Sequence, residues 1–524
     1  MVNEFEKTAK EIYEYAKKEG RLRLNLSSQE LKELALKEPE VTLTKYGSIM
    51  AHSEPTSRAA MFTTNNIDTK FGKEEKELLK QAKKRLGKEN LVCIEVIVGD
   101  GSEDITARLI IPEKFAHMPY GGLKLFKPVD KPLKNPTHQI IMFFDESFEE
   151  NKSKTLPNKD ITIRNYLTSK GGLIKFVRNS NYLGEWKKGV FTGEDYRAKQ
   201  KGGALFLHAG CRNDHFKMAD GSYKDKSSLF VALSANGKTS LTCRVLAKED
   251  KEKSFLVQDD GGILYKDGSF RGFEAGGVFV KTDSLNPEDQ IETYNGCLSP
   301  NTFLENVYVD DNGEFDFYNV ERTANGRAVV ERRDFANASK DINVDKINNI
   351  FLITRGNIIP AIAKLTLEQA TAFMVLGQSM ESSAGDPTQV GKIKNVFFYD
   401  PFVAGDKTDH ANIFYKLLKA NPQINCYLIN TGGIGEGDSY HEIGLKDSLN
   451  ILDGVMRGNV GWVLSKHTGL MVPKKIENVD SVIFHPEKKY DQVDFEAKQK
   501  SLDKQRFDII NNYPGLVKKV IEVF

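Results

Sequence analysis

Apolar residues recur at three- and four-residue spacing through Phe5, Ala9, Ile12 and Ala16, a period that predicts an amphipathic helix. A second helix is expected after Ser27 or Ser28, whose hydroxyls can accept the first free N–H groups of QELKELALKE. The charged stretch 73–86 predicts a surface helix. Between these helices the pattern shortens: LTKYGSIMAHSEPTSRAAMF begins as an apolar strand and opens into a Ser/Thr-rich loop that carries Arg58. VCIEVIV, ITARLII and QIIMFFD predict strands of a mixed N-terminal sheet. The span from Pro112 to Pro136 is rich in Pro, Gly and Lys and reads as a loop.

Further along, Ala204-Leu205-Phe206-Leu207 predicts a strand ending on His208, and Phe255-Leu256-Val257-Gln258 a strand running into Asp259-Asp260. GFEAGGVFVKT and FLENVYVDDNGEFDF read as hairpin-rich β structure with Gly and Asp-Asn-Gly turns. NIFLIT, NVFFYD and NCYLIN predict strands separated by helical patterns near 365–377 and 410–420, the alternation of an α/β fold. The polar segment 378–394 is a candidate lid or an inert connection. A Gly-rich loop follows Asn430-Thr431-Gly432-Gly433, a helix is expected from about Lys446, and a charged helix from about 491 to 511.

The chain of 524 residues is too long for one core. Its 74 basic and 73 acidic residues leave a formal charge of +1, so no global field recruits nucleic acid or an anionic membrane. A small-molecule partner is expected, and a monomer or small homo-oligomer. The five cysteines form no C-x-x-C pair, and their odd number argues against a disulfide framework. The N-terminal stretch is charged throughout and lacks the apolar core of a signal peptide, and no run of eighteen apolar residues follows. These features predict a soluble, cytoplasmic protein.

The chemistry concentrates in LFVALSANGKTSL, residues 229–241. An apolar strand, a small-residue loop and then Gly237-Lys238-Thr239 present backbone N–H groups and an ammonium to nucleotide phosphates, leaving a hydroxyl for Mg²⁺. Asp259-Asp260, at the end of the next strand, is where a carboxylate reaches a phosphate-bridging metal. His208, just ahead of this loop, is either a satisfied structural residue or a metal ligand. Lys187-Lys188, after a Tyr182-Leu183-Gly184 turn, is either a surface pair or two cations whose mutual repulsion frees one as a neutral ligand or base. Arg58 is either a solvated charge or a bidentate clamp for a carboxylate or phosphate. The fold class is therefore α/β: a mixed-sheet N-terminal domain over 1–204, followed by a P-loop-containing nucleotide-binding C-terminal domain over 205–524.

Several of these segments, in order from about residue 42 to 457, resemble the ATP-dependent phosphoenolpyruvate carboxykinases. The family's phosphate loop G-L-S-G-T-G-K-T-T-L-S is similar to Ala232 to Thr242, ALSANGKTSLT. Its Tyr-Gly-Gly-Glu-Met-Lys-Lys-Gly is matched by Tyr182 to Gly189, its Gly-Asp-Asp by Gln258-Asp259-Asp260, and its Thr-Gly-Arg-Ser by Thr56-Ser57-Arg58-Ala59. Thr-Glu-Asn-Thr-Arg resembles Thr323-Ala324-Asn325-Gly326-Arg327, and a late Asn-Thr-Gly reappears as Asn430-Thr431-Gly432.

The resemblance implies a gluconeogenic decarboxylase that converts oxaloacetate and ATP to phosphoenolpyruvate, CO₂ and ADP with Mn²⁺ and Mg²⁺. It implies that Lys188, His208 and Asp260 hold one metal, with Asp259 beside them and Thr239 at the nucleotide-bound Mg²⁺. Arg58, Tyr182, Lys187 and Arg327 would bind substrate and the transferring phosphoryl group, and Lys238 the β- and γ-phosphates. Leu233, Ser234, Ala235, Asn236, Gly237, Ser240 and Ser448 complete the nucleotide side. The chain departs from the family at Ala232 and Ala235, at the extra Ala275 before Gly276-Gly277, and in the 378–394 segment, which lacks the family's lid sequence. His441-Glu442-Ile443-Gly444 stands where the family carries an arginine beside the nucleotide base and ribose. The same residues would also suit a kinase on the same scaffold acting on another small molecule or using another donor, or a non-catalytic nucleotide binder.

Overall fold

The structure, a computed structural model, describes residues 4–54, 60–150, 160–233, 236–323, 325–380, 392–401 and 403–524. Arg58, Ser234, Ala235 and most of the candidate lid (381–391) lie outside the described residues. The chain forms two units, one of 1–201 with 272–336 and one of 202–271 with 337–524. The expected single boundary near 205 is thus replaced by three crossings. The segment 272–336 returns to the first unit because its strand Phe303–Glu305 pairs in parallel with Ile49–Ala51, a long-range pairing that no local pattern announces.

In the first unit a mixed sheet runs Leu22–Leu24, Leu91–Ile97, Thr106–Pro112, His138–Phe143, Leu173–Arg178, Thr162–Leu167 and Thr63–Asn65 in spatial order. Leu91–Ile97 and Thr106–Pro112 are antiparallel, and the next two pairings are parallel. The helices Glu4–Lys18 and Lys73–Leu86 cover one face, where Phe5, Ile12, Leu78 and Leu79 pack with Ile110, Ile141 and Phe176. Ser27 caps the helix Ser28–Ala35 with a reciprocal bond pair to Glu30.

The span expected to be a loop contains the helix His117–Leu125. Pro119 falls in its first turn, where no intrahelical acceptor is needed. Gly121 and Gly122 are there for closeness: a Cβ on Gly121 would lie 2.8 Å from the Phe303 ring, and one on Gly122 3.1 Å from Trp186. Composition that looks like a turn is here a tight packing surface.

The second unit is built on an eight-stranded sheet in the order Lys253–Gln258, Ala209–Lys217, Tyr223–Val231, Asn349–Thr354, Asn425–Asn430, Ile362–Leu365, Met471–Pro473 and Trp462–Leu464. Tyr223–Val231, Asn349–Thr354 and Asn425–Asn430 are mutually parallel. Alternate residues serve opposite faces. Leu229, Val231, Leu352 and Leu428 face the helices Leu367–Leu376 and Lys407–Ala420. Phe230, Phe351, Ile353 and Ile429 face Leu445–Arg457. Ala204–Leu207 pairs separately with Gly262–Tyr265.

NVFFYD is not a strand. Phe397–Tyr399 is a 3₁₀ turn with Phe398 and Tyr399 both at φ 55°, and all three rings are buried. The apolar run reflects burial rather than pairing, the ambiguity inherent in short apolar runs. The charged C-terminal helix spans Gln492–Ile510 and is followed by the short helix Lys518–Ile521.

Candidate functional site

In the second unit, the strand Tyr223–Val231 leads through Ala232 and Leu233 to the helix Lys238–Cys243. Gly237 precedes that helix at φ +87°, a conformation that suits glycine. Two bonds pin the loop. The buried Asn236 donates its side-chain N–H to Ser379 Oγ at 2.9 Å, and its carbonyl accepts the Thr431 hydroxyl at 2.9 Å. Thr239 and Ser240 are half-buried in the first helical turn, and Lys238 is buried with its ammonium on the Asp260 carboxylate.

Asp260 has a second partner, His208, whose Nε2 lies 2.8 Å from Asp260 Oδ1. On the other side of the ring Nδ1 lies 3.2 Å from the carbonyl oxygen of Tyr399. A carbonyl only accepts, so Nδ1 donates to it, while Nε2 faces the Asp260 carboxylate, to which it either donates a hydrogen bond or, with a metal ion between them, stands as a second ligating atom. A nitrogen and an oxygen bound to one divalent ion at about 2.0–2.2 Å each lie about 3 Å apart, so this pair has the spacing and chemistry of two metal donors. Among the described residues no group of three His, Cys, Asp or Glu side chains could hold a metal, so any further donor from those residues would be of another kind. Asp259 is buried beside Asp260. Ser448 is buried in the first turn of Leu445–Arg457, where its N–H bonds the Gly444 carbonyl, and among the described residues no hydrogen bond joins it to the phosphate loop.

In the first unit, Tyr182 lies two residues before the helix Gly184–Lys201. Successive helical residues diverge by about 100° around the axis, and the two lysines part accordingly. Lys187 is 2 % exposed, lies 3.0 Å from Glu274 Oε1 and sits 4.8 Å from the centre of the Phe279 ring. Lys188 turns the other way, 5.1 Å from the Tyr182 ring and 4.0 Å from Glu185. Of the two alternatives for the pair, the surface one fails for Lys187, which is buried against a carboxylate, while Lys188 is part-exposed. Arg327 lies 6.0 Å from the same Phe279 ring, so Phe279 brings Lys187 and Arg327 to one place.

Buried polar groups set the Tyr182 turn. The Leu183 N–H donates to Glu305 at 2.7 Å, Asn181 exchanges two bonds with Glu54 at 2.6 and 3.0 Å, and His117 Nε2 lies 3.3 Å from the Asn181 carbonyl. His117 Nδ1 is 2.6 Å from Glu38, which with Glu305 keeps the imidazole pKa raised against the opposing effect of burial. Burial raises the Glu305 carboxyl to about 7, opposed by the Leu183 N–H, Ser53, His117 and Arg327. Beneath the lysine pair, Lys175 and Glu185 are 2.6 Å apart, both buried. Against desolvation, Lys175 and Lys188 hold the Glu185 carboxyl below its usual range.

Sequence reasoning missed Glu274, Glu305, His117 and Tyr399. For Glu274 a signal existed: it precedes Gly276-Gly277, whose missing side chains let the backbone reach the Lys124 carbonyl, where a Cβ would lie 2.6 or 2.5 Å away. His117 falls in the stretch read as a loop. Tyr399 acts through its carbonyl, which no residue type advertises.

The sequence profile described as phosphoenolpyruvate carboxykinase matches residues 20–482. A phosphoenolpyruvate carboxykinase (ATP) of Brucella melitensis is 25% identical over 502 residues, covering 91% of this chain and 89% of its own. That of Aeropyrum pernix is 30% identical over 317 residues, 60% of this chain and 62% of its own. The enzyme of the same name from Christiangramia forsetii is 28% identical over 344 residues, 63% of this chain and 60% of its own. The chain therefore spans less than two thirds of the Aeropyrum and Christiangramia enzymes but nearly nine tenths of the Brucella enzyme. No helix among the described residues is long and apolar enough to cross a membrane, and the five cysteines are buried and outside any disulfide. With the profile matching from residue 20 to residue 482, the chain belongs to the phosphoenolpyruvate carboxykinase family.

Proposed function

We propose that the protein is an ATP-dependent carboxy-lyase that converts oxaloacetate and ATP to phosphoenolpyruvate, CO₂ and ADP. The observation that carries this reading is the cluster His208–Asp260–Lys238 at the exit of the phosphate loop. It joins a phosphate-binding ammonium to a donor pair suited to a divalent metal, with Mn²⁺ and Mg²⁺ the proposed ions.

The chemistry divides between the two sets of side chains. Arg327, with Arg58, binds the carboxylates of oxaloacetate, and Lys187 and Lys188 face the oxygen on which negative charge develops as the carbon–carbon bond breaks and CO₂ departs. As a neutral amine Lys188 would instead be a nitrogen donor to the metal, and Tyr182 packs against the substrate. A bound divalent metal would supply Lewis-acid stabilisation of the enolate and phosphoryl oxygens. Lys238 neutralises the β- and γ-phosphates as the enolate oxygen attacks the γ-phosphorus in line and ADP leaves. Thr239 would offer its hydroxyl to a nucleotide-bound metal. Water must be excluded, because protonation of the enolate would give pyruvate instead.

The test is phosphoenolpyruvate formation by the purified protein from oxaloacetate with Mn²⁺ and Mg²⁺, comparing ATP, GTP, ADP and pyrophosphate. Product with ATP is expected. Product only with another donor would overturn the ATP assignment, and no product from folded, metal-loaded protein would overturn the decarboxylation.

A further inference from the structure

In an open α/β sheet, ligands bind beyond the carboxyl ends of the parallel strands. Three such ends lie side by side in the second unit: Val231 leading to the phosphate loop, Thr354 leading to Arg355, and Asn430 leading to Thr431-Gly432. Their loops are tied together. The Thr431 N–H donates to the Thr354 carbonyl at 3.0 Å, the Thr431 hydroxyl to the Asn236 carbonyl at 2.9 Å, and a Cβ on Gly237 would lie 3.9 Å from Thr431 Cγ2. The Asn430 side chain bonds the Gly356 and Ile359 carbonyls at 2.9 and 2.8 Å, which fixes the turn that follows Arg355.

Arg355 is the cation at the end of the middle strand. Its stem rests on the bare face of Gly432, where a Cβ would lie 3.3 Å from Arg355 Cβ and Cγ. The side chain is half-buried, and its buried Nε has no hydrogen-bond partner among the described residues. Burial disfavours its charge, and the groups that oppose this are Tyr440 and Glu442. Glu442 is exposed on the short strand His441–Glu442, which pairs with Gly433–Ile434. A guanidinium that forms no ion pair among the described residues, held one strand from the phosphate loop, is placed to meet an anion arriving there.

We infer that Arg355 is a nucleotide-binding residue whose guanidinium donates to the polyphosphate chain from the strand end next to the phosphate loop, with Glu442 as its counter-charge when no nucleotide is bound. This rests on the nucleotide-binding reading above. It makes Arg355 a positive contribution of this chain at the end where Glu442 adds a negative one.

The test is direct binding of ATP, GTP and inorganic triphosphate, followed by calorimetry, on wild type, Arg355→Ala, Arg355→Lys, Glu442→Gln and Lys238→Ala, each checked for native circular dichroism. One charge-assisted phosphate contact predicts that Arg355→Ala weakens all three ligands about 10- to 100-fold, with partial recovery in Arg355→Lys. Glu442→Gln should tighten binding severalfold in the wild-type background and leave it unchanged in Arg355→Ala. Wild-type affinity in Arg355→Ala, while Lys238→Ala has lost binding, would remove Arg355 from the site and leave the nucleotide reading standing. Loss of ATP but not GTP affinity would make Arg355 a base contact and overturn the phosphate assignment. No binding of any of the three by wild type would overturn the nucleotide reading together with this inference.

Discussion

Glu305 accepts the N–H of Leu183 at 2.7 Å, and Tyr182 is the residue just before that bond. A carboxylate on the strand Phe303–Glu305 thus fixes the turn from which the helix of Lys187 and Lys188 departs. The chain places an ionisable group at full burial to do this, so the turn is coupled to pH.

Burial raises the Glu305 pKa from 4.5 to about 7, with His117 on one neighbouring element and Arg327 on another opposing the shift. A raised carboxyl pKa means the folded state keeps a proton that the unfolded chain releases, so stability is greatest below pH 4.5 and falls as pH rises through 7. The loss is on the order of 3 kcal/mol. Glu305→Gln keeps an acceptor for Leu183 and cannot ionise. Urea unfolding from pH 4.5 to 7.5 should show wild type losing stability relative to this variant, and parallel curves would refute the shift.

Gly377 supports the carbonyl that orients His208. It ends the helix Leu367–Leu376 at φ +47°, and its carbonyl accepts the Val396 N–H at 3.1 Å just before the turn that presents Tyr399. A Cβ there would lie 1.6 Å from the Val396 carbonyl oxygen, so Gly377→Ala must displace that turn. Left-handed strain and overpacking together predict a loss of about 2–5 kcal/mol. Metal affinity should fall as well, measured by Mn²⁺ titration on the folded fraction. A variant of wild-type stability would show that the turn adapts freely.

The buried pair Lys187–Glu274 predicts non-additivity. Glu274→Ala leaves a cation buried without that carboxylate and should cost about 3–5 kcal/mol, whereas Lys187→Met with Glu274→Leu, which removes both charges, should recover most of it. Arg332, whose pKa burial lowers to about 10 while Glu274 opposes the shift, bounds the recovery. Thermal unfolding of the two single variants and the double variant measures this, and simple additivity would mean that the pair does not interact.

Legibility in the sequence followed the range of the interaction. The helix Lys73–Leu86 and the Ser27 cap were readable because period and capping chemistry act within a few residues. The order of strand, loop and Lys238-Thr239 was readable for the same reason. The helix His117–Leu125 was hidden because Pro119, Gly121 and Gly122 carry the signals of a turn while serving close packing against Phe303 and Trp186. The return of 272–336 to the first unit depends on pairing between Phe303–Glu305 and Ile49–Ala51, and the burial of Lys187 depends on Glu274. Neither partner is near in sequence. Residue type pointed to His208 and Asp260 as candidates, but the orientation of the His208 ring is set by a backbone carbonyl, and that belongs to the fold alone.

His208→Ala separates metal binding from the rest of the site. His208 contributes a nitrogen 2.8 Å from Asp260, while Lys238 makes its own contact to that carboxylate, so removing the imidazole leaves the phosphate-loop ion pair in place. The ring is about 15% exposed, and its loss should cost only about 1–2 kcal/mol of stability. Mn²⁺ affinity, read by electron paramagnetic resonance, should fall at least 100-fold, and nucleotide affinity measured without divalent metal should stay within about threefold of wild type. His208→Asn, which offers a weaker donor of smaller reach, should fall between the two. Unchanged Mn²⁺ binding in His208→Ala would take the imidazole out of the metal site and leave its bond to the Tyr399 carbonyl as a purely structural tie.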